Sequence, residues 1–544
     1  MRSRPVAAFL LGGNRIMASK EGAYARPQSL REKIGQLIVT GFPGTAVTAD
    51  LEALVREWKI GNIILFAHNA ENKAQLARLC GELQRLIEAG TGYPALISID
   101  QEGGRVTRLP RDAVNVPGAM AIAATGDPGN ARAAGRITAA ELRALGINFN
   151  LAPVLDINNN KRNPVINVRS YGDTAETVSE YGVEMLRGLR EGGVLAALKH
   201  FPGHGDTEVD SHLGLPSSGK TLADLEALEL LPFRAAIAEG AEAIMVAHMM
   251  FPEIEPRRVP ATMSPAIVGE LLKGKLGYGG LIVSDCLEMD AVKKYYGTAQ
   301  GALGALKAGI HLLFVSHTPS LVRETAQVIE QAVLSGELPM ETLEAAVDQV
   351  LYYKGKYASG IEAPPLSVVG CEAHRLEAAA IAAAGICLAS GSLEPVAPGG
   401  TGTLFAGSYP YRADQASSQV RAGLSFPDAM ADRLGGARLL AAIDPDEAEI
   451  GRLLREAEGY GQVVYGLYNG LDNPGQLEAV RRLAAAGKRV TAVALGKPYD
   501  LEALDDIACG LAAFEYTALS LDAVARVLAG EIAPAGSIGN VWHR

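Results

Sequence analysis

The sequence predicts an α/β protein of two units, an N-terminal TIM (β/α)8 barrel followed by a C-terminal open α/β sandwich domain. Three observations carry that prediction. Short runs that are apolar along their whole length recur eight times through the first two-thirds of the chain, as strands buried on both faces of a parallel sheet require. Segments of helical periodicity separate them, for example 73–89, 176–190 and 222–239. At 359–366 the stretch Ser-Gly-Ile-Glu-Ala-Pro-Pro-Leu breaks the pattern, and a second alternation follows it.

The eight expected barrel strands are 34–40, 62–66, 95–99, 148–153, 194–198, 243–247, 281–284 and 310–315. Eight βα units in about 320 residues have the size of a barrel. Beyond the break, strands are expected at 403–406, 439–443, 462–467, 489–495 and 510–514, with helices such as 447–458 and 476–486 between them. So few strands do not close a barrel, which leaves an open doubly wound sheet. Gly399-Gly-Thr-Gly402 precedes a strand and has no later glycine before a helix, so it reads as a turn and not as a dinucleotide loop. The expected organisation is an extension at 1–27, a barrel at 28–357, a linker at 358–371 and the sandwich at 372–544.

Composition narrows the function. The 544 residues are 48% hydrophobic and 20% charged, which suits a folded globular protein and not a disordered one. Lys and Arg number 50 against 61 Asp and Glu, for a net charge of −11, and no block of consecutive basic residues occurs. No nucleic-acid partner is expected from such a surface. Cys80, Cys286, Cys371, Cys387 and Cys509 form no CxxC pair, so neither a disulfide framework nor a zinc site is expected. No apolar run reaches the ~18 residues of a membrane span. Arg2 and Arg4 precede a short apolar stretch at 6–11 without a small-x-small cleavage site after it. The expected location is the cytoplasm, with secretion or attachment at the cell wall as the alternative, and no sequence feature addresses the oligomeric state.

Working residues of a barrel lie just past the C-terminal ends of its strands, and five such ends here carry ionisable groups. They are Asp100 in Asp-Gln-Glu-Gly-Gly-Arg-Val-Thr-Arg108, Asp156, Lys199-His200, His248 and Asp285. The densest cluster is KHFPGHGDTEVDSH at 199–212, which holds three of the nine histidines, His200, His204 and His212, together with Asp206 and Asp210. Pro202, Gly203 and Gly205 make it a loop. A metal site is the rival reading, but the Pro-Gly between His200 and His204 forbids the helical face that an HExxH-type pair needs. A carboxylate two residues from an imidazole can orient it and raise its pKa, so Asp210-Ser-His212 suits a proton shuttle. Asp285, delivered by an apolar strand to the barrel mouth, suits a nucleophile.

At these residues the sequence resembles glycoside hydrolase family 3, in its β-N-acetylglucosaminidase branch and two-domain form. The resemblance rests on Asp-Gln-Glu-Gly-Gly-Arg-Val at 100–106, Leu-Ala-Pro-Val-Leu-Asp at 151–156, Asn-Pro-Val-Ile-Asn-Val-Arg-Ser-Tyr-Gly at 163–172, the 199–212 loop and Val-Ser-Asp at 283–285. It implies a retaining exo-β-N-acetylglucosaminidase that needs no cofactor and no metal. In it Asp285 attacks the anomeric carbon while His212, paired with Asp210, acts first as acid and then as base. It also implies that Asp100, Arg108, Arg169, Lys199 and His200 hold a terminal GlcNAc, with peptidoglycan-derived fragments the expected source. A histidine donor is chemically sound, because an imidazolium near its ordinary pKa of about 6.5 donates readily and its neutral form then activates water. Every one of these groups lies on the barrel segment, so the sandwich is not expected to touch the chemistry. One departure is Ala308-Gly-Ile-His-Leu-Leu313, where the resemblance implies an acidic residue in place of His311 at the rim of strand eight. A β-N-acetylglucosaminide phosphorylase of the same family and a catalytically silent sugar-binding protein are the alternatives.

Overall fold

The structure is a computed structural model that describes residue 24 and residues 26–207, 214–360, 362–412, 416–418 and 423–543. Most of the expected N-terminal extension, residues 1–23 and 25, lies outside the described residues.

The first unit is a barrel of eight parallel strands: β1 (Ile38–Thr40), β2 (Asn62–Leu65), β3 (Leu96–Ile99), β4 (Phe149–Asn150), β5 (Leu195–Phe201), β6 (Ala243–Val246), β7 (Leu281–Ser284) and β8 (Leu313–Phe314). They pair in sequence order from β1 to β7, β8 pairs with β1, and a bridge between Val283 and Leu312 joins β7 to β8 and closes the ring. Every strand residue is buried, as strands covered by side chains inside and by helices outside must be.

Two expectations for the barrel are corrected by local chemistry. Residues 34–36 belong to helix Leu30–Gln36 and not to the first strand, because Ser29 and Glu32 form a capping box that starts the helix there. The helix expected over 222–239 is two helices, Leu222–Ala227 and Leu230–Ala238. Pro232 has no N–H for the Leu228 carbonyl and its ring crowds that carbonyl, so the run breaks at Leu228. Where the end signals agree with the periodicity, boundaries fall close to expectation. Asn72 caps helix Lys73–Thr91 and left-handed Gly92 ends it.

The second unit is an open sheet of six strands, β9 (Cys387–Gly391), β10 (Thr403–Gly407), β11 (Ala437–Leu440), β12 (Gln462–Leu467), β13 (Arg489–Ala494) and β14 (Cys509–Ala512). Their order is β11-β10-β12-β13-β14-β9, all parallel except β9, which runs antiparallel along β14. Strand β9 is the element that sequence reasoning missed. It is a partly exposed edge strand, so it lacks the continuous apolar run that marked the others.

The two units are tied by buried polar contacts. Glu141, fully buried on the barrel, accepts from the Gly370 amide at 2.9 Å and meets His374 Nδ1 at 2.7 Å. From the sheet side, Glu515 reaches beneath the barrel loop and accepts from the Gly118 amide at 2.7 Å and the Thr517 hydroxyl at 2.9 Å. Gly104 must be glycine there, since its φ is +55° and a Cβ would lie 2.4 Å from Glu515 Oε2.

Burial pushes the Glu515 carboxyl from its ordinary 4.5 up to about 7, against the pull of the Gly118 and Thr517 hydrogen bonds. A folded-state pKa above the unfolded one means that stability falls as pH rises from about 4.5 to about 7, because only the unfolded chain ionises in that window. Glu515→Gln keeps an acceptor for Gly118 and cannot ionise. Thermal unfolding should find the variant more stable than wild type near pH 8, by up to about 3 kcal/mol, with the advantage gone near pH 4.5.

Candidate active site

The ends of the barrel strands open into one cleft of about 660 Å³. The loop after β3 turns back on itself through left-handed Gly103 and Gly104, and the Gly103–Val106 bridge fixes it. This places Asp100, Glu102 and Arg108 on the cleft wall. Strand β5 contains a bulge between Leu198 and Phe201, and the extra residue re-aims the side chains around it. Lys199 and His200, neighbours in sequence, consequently both line the cleft while serving different carboxylates.

Lys199 Nζ lies 2.8 Å from Asp100 Oδ1 and 2.7 Å from Glu102 Oε1. Arg169 grips Glu102 with both arms of its fork, Nε at 2.8 Å and Nη2 at 2.7 Å. Burial alone would raise the Glu102 pKa, yet Arg169 and Lys199 outweigh it and hold the carboxyl well below the usual carboxylate range. Burial would likewise lower Lys199, and Asp100 and Glu102 reverse this, so its ammonium is kept charged.

A second buried cluster lies beside the first. Asp156, at 0% exposure, accepts from the His204 amide at 2.7 Å and contacts His200 Nδ1 at 2.6 Å. With Nδ1–H given to Asp156, His200 offers Nε2 to the cleft. Burial opposes the ionisation of Asp156, but His200 and the hydrogen bonds lower its pKa, so it stays an acceptor. His204 is pushed down to about 4 by burial and by neighbouring His200, with Asp156 and Asp285 pulling the other way, and so stays neutral near pH 7.

Asp285 follows β7 and lines the cleft. The Cys286 amide donates to its Oδ1 at 2.7 Å. The next peptide is held too, since buried His248 donates through Nε2 to the Cys286 carbonyl at 2.9 Å while Nδ1 meets the Thr262 hydroxyl at 2.7 Å. His248, expected at the barrel mouth from the sequence, therefore supports the backbone beside Asp285.

The structure thus brings Asp100, Arg108, Arg169, Lys199, His200 and Asp285 into one cleft. Asp210 and His212 lie outside the described residues, as does the rest of 208–213. Two groups were missed from the sequence as parts of the site. Glu102 stands inside the Asp-Gln-Glu-Gly-Gly motif but gave no sign that it would bind two cations, and Asp156 was marked only as a strand end. His311 is not at the rim of strand eight. It precedes β8 and lies outside the cleft lining, with Nε2 3.0 Å from Lys273 Nζ, and burial with Lys273 pushes its pKa down to about 3. The rim is formed by Ser316 and His317 instead.

The second unit also contributes to the wall of the cleft, which the sequence did not indicate. Arg412, Ala416 and Ser417 line the cleft. Arg108 donates to the Ala416 carbonyl at 2.7 Å and to Ser418 Oγ at 3.2 Å, and Ser418 Oγ accepts from the Thr107 amide at 2.8 Å. Burial opposes the Arg108 charge while Asp100 and Glu102 favour it, and the Ala416 carbonyl and Ser418 hydroxyl give the buried guanidinium hydrogen-bond acceptors.

The chain is similar to known proteins in sequence and in fold. The model of the glycosyl hydrolase family 3 N-terminal domain matches residues 29–352. Beta-hexosaminidase A of Pseudoalteromonas piscicida is 35% identical over 370 residues, 63% of this chain, and the match spans 61% of that relative's own length. The beta-hexosaminidase of Neisseria meningitidis serogroup C is 35% identical over 53% of this chain and 82% of its own. A solved glycoside hydrolase family 3 beta-N-acetylglucosaminidase from Paenibacillus sp. str. FPU-7 is 37% identical with a TM-score of 0.88, covering 94% of this chain and 98% of that one.

The Glu102 network yields a stability test. Because its pKa lies below the ordinary 4.5, its stabilisation is complete above that value and drains away as pH falls beneath it. Glu102→Gln leaves Lys199 and Arg169 short of a buried anion and should cost about 3–5 kcal/mol near neutral pH. Its melting temperature should also fall less than that of wild type on acidification from about pH 6 to about pH 3, as followed by circular dichroism.

Proposed function

The chain belongs to glycosyl hydrolase family 3, and from that premise we propose that it is a retaining exo-β-N-acetylglucosaminidase acting on a terminal β-linked GlcNAc. The observation that carries the reading is Asp285, presented by β7 to the same cleft as the cationic and carboxylate groups of β3, β4 and β5. An oxocarbenium-like transition state needs an anion on one face of the ring and anchored hydroxyls around it. Asp285 supplies the first and attacks the anomeric carbon. Asp100, Lys199, Arg108, Arg169 and His200 supply donors and acceptors for the hydroxyls and the N-acetyl group.

In this reading His212 protonates the departing oxygen, with Asp210 orienting its imidazole. After the leaving group has gone, neutral His212 takes a proton from water, which opens the glycosyl ester of Asp285 with net retention. The charged pairs make the site stiff before substrate arrives, so little reorganisation is needed as positive charge develops on the sugar. Peptidoglycan-derived fragments ending in GlcNAc are the proposed source of substrate, and the cytoplasm the proposed location. Assays with and without inorganic phosphate distinguish the phosphorylase: hydrolysis gives free GlcNAc in both, whereas phosphorolysis gives GlcNAc-1-phosphate and only where phosphate is present.

Asp285→Asn should fold and lose nearly all turnover, and a fluorinated N-acetylglucosaminyl inactivator should label Asp285 in a peptide map of the wild type. Label on Glu102 or Asp156 would refute the assignment. His212→Ala tests the proton donor. It should slow disaccharide hydrolysis by about 10²–10⁴ while sparing the first step with a p-nitrophenyl glycoside, whose leaving group departs as a stable anion. With that substrate the variant should accumulate glycosyl-enzyme, and azide should release it as the glycosyl azide. Equal losses on both substrates without azide rescue would show that another group carries the proton.

A further inference from the structure

The hydrolase reading, on which this inference rests, uses the arc of the cleft from β3 to β7. The remaining arc, at the ends of β8, β1 and β2, carries Pro43, Phe66, His68 and His317. Phe66 and His68 stack with ring centroids 5.7 Å apart and 15° between planes. His317, from past the end of β8, meets the same phenyl ring edge-on at 6.0 Å. Gly41 at the end of β1 allows the approach, since a Cβ there would lie 3.1 Å from Phe66 Cε2.

His317 is held in a costly way. Its φ is +90°, in the left-handed region that a residue with a Cβ adopts only under strain. Packing does not explain the strain, because the side chain is 57% exposed. Its Nε2 lies 3.8 Å from Glu288, whose carboxylate accepts from the Thr318 amide at 3.0 Å and hydroxyl at 2.6 Å. A strained backbone that aims a half-open imidazole into a cleft, beside an anchored carboxylate, is the pattern of a residue kept for a ligand.

We propose that Phe66, His68 and His317 form the leaving-group subsite and select a pyranose as leaving group over a non-sugar aglycone. The apolar C–H face of the second sugar lies on the open face of the Phe66–His68 stack, and His317, beside Glu288, hydrogen-bonds one of its hydroxyls. The rings are aromatic because an apolar face with hydroxyls around its edge matches a flat ring flanked by polar groups. The second sugar then sits between this platform and the GlcNAc held over Asp285.

The test compares kcat/KM on a β-1,4-linked GlcNAc disaccharide with that on N-acetylglucosaminyl fluoride, whose leaving group occupies no platform. His317→Gly suits the left-handed backbone and removes the imidazole, and Phe66→Leu keeps apolar volume and removes the aromatic face. Each should lower disaccharide kcat/KM by about tenfold and change fluoride kcat/KM by less than about twofold. The melting temperature of His317→Gly should not fall, as relief of strain offsets the added freedom of the unfolded chain. Equal losses on the two substrates, or no loss on the disaccharide, overturn the subsite while leaving the hydrolase reading in place. A wild-type enzyme inert towards both substrates overturns the hydrolase reading and this inference with it.

Discussion

Glu102 is a carboxylate taken out of water at the crossing of three barrel strands, and the site around it exists because that charge is answered on every side. An uncompensated ion there would cost several kcal/mol. Arg169 arrives from the loop after β4 with two hydrogen bonds and Lys199 from β5 with a third contact. Lys199 then reaches Asp100, so the loop after β3 is bound at both of its acidic positions. None of these side chains can shift without stranding another. The result is a rigid polar wall at the mouth of the barrel.

The same constraint explains the neighbouring pair. Asp156 gathers the backbone amides of His200 and His204 and the His200 ring, which sets the conformation of the chain as it leaves β5. Asn163 adds its amide to the carbonyls of His204 and Gly205, so the loop from β4 closes over the loop from β5. Asp206 continues the chain of contacts through Lys220, which is also paired with buried Glu229. The segment that leaves this frame after Thr207 thus starts from a fixed stem.

The second unit completes the wall and does not merely accompany it. Arg108 finds its acceptors on Ala416 and Ser418, while Glu515 props the Gly104–Gly118 contact from below. Lys161 bridges to Glu502 at 2.6 Å and sits over the Trp542 ring, which adds a further tie at the far side of the same loop system. The shape of the cleft is therefore a property of both units, although Asp285 and the Glu102 ion-pair network come from the barrel.

Much of this was legible in the sequence, and the division has a physical basis. Burial on both faces leaves a continuous apolar run, so the barrel strands could be read directly, and β7 was located to the residue. Strand ends carrying Asp100, Asp156, Lys199 and Asp285 were visible because charge following an apolar run is rare. A half-exposed edge strand such as β9 has no such signature, and a capping box overrode the apolar count at 34–36. Other facts depend on residues far apart in the chain. That Glu102 binds Arg169 and Lys199, that Arg108 rests on Ala416, and that His317 and not His311 stands at the rim follow from how strands and units meet. A sequence carries one-dimensional periodicity and charge, which determine elements and their ends. Which charges neutralise one another is decided only when folding brings those ends within hydrogen-bond distance.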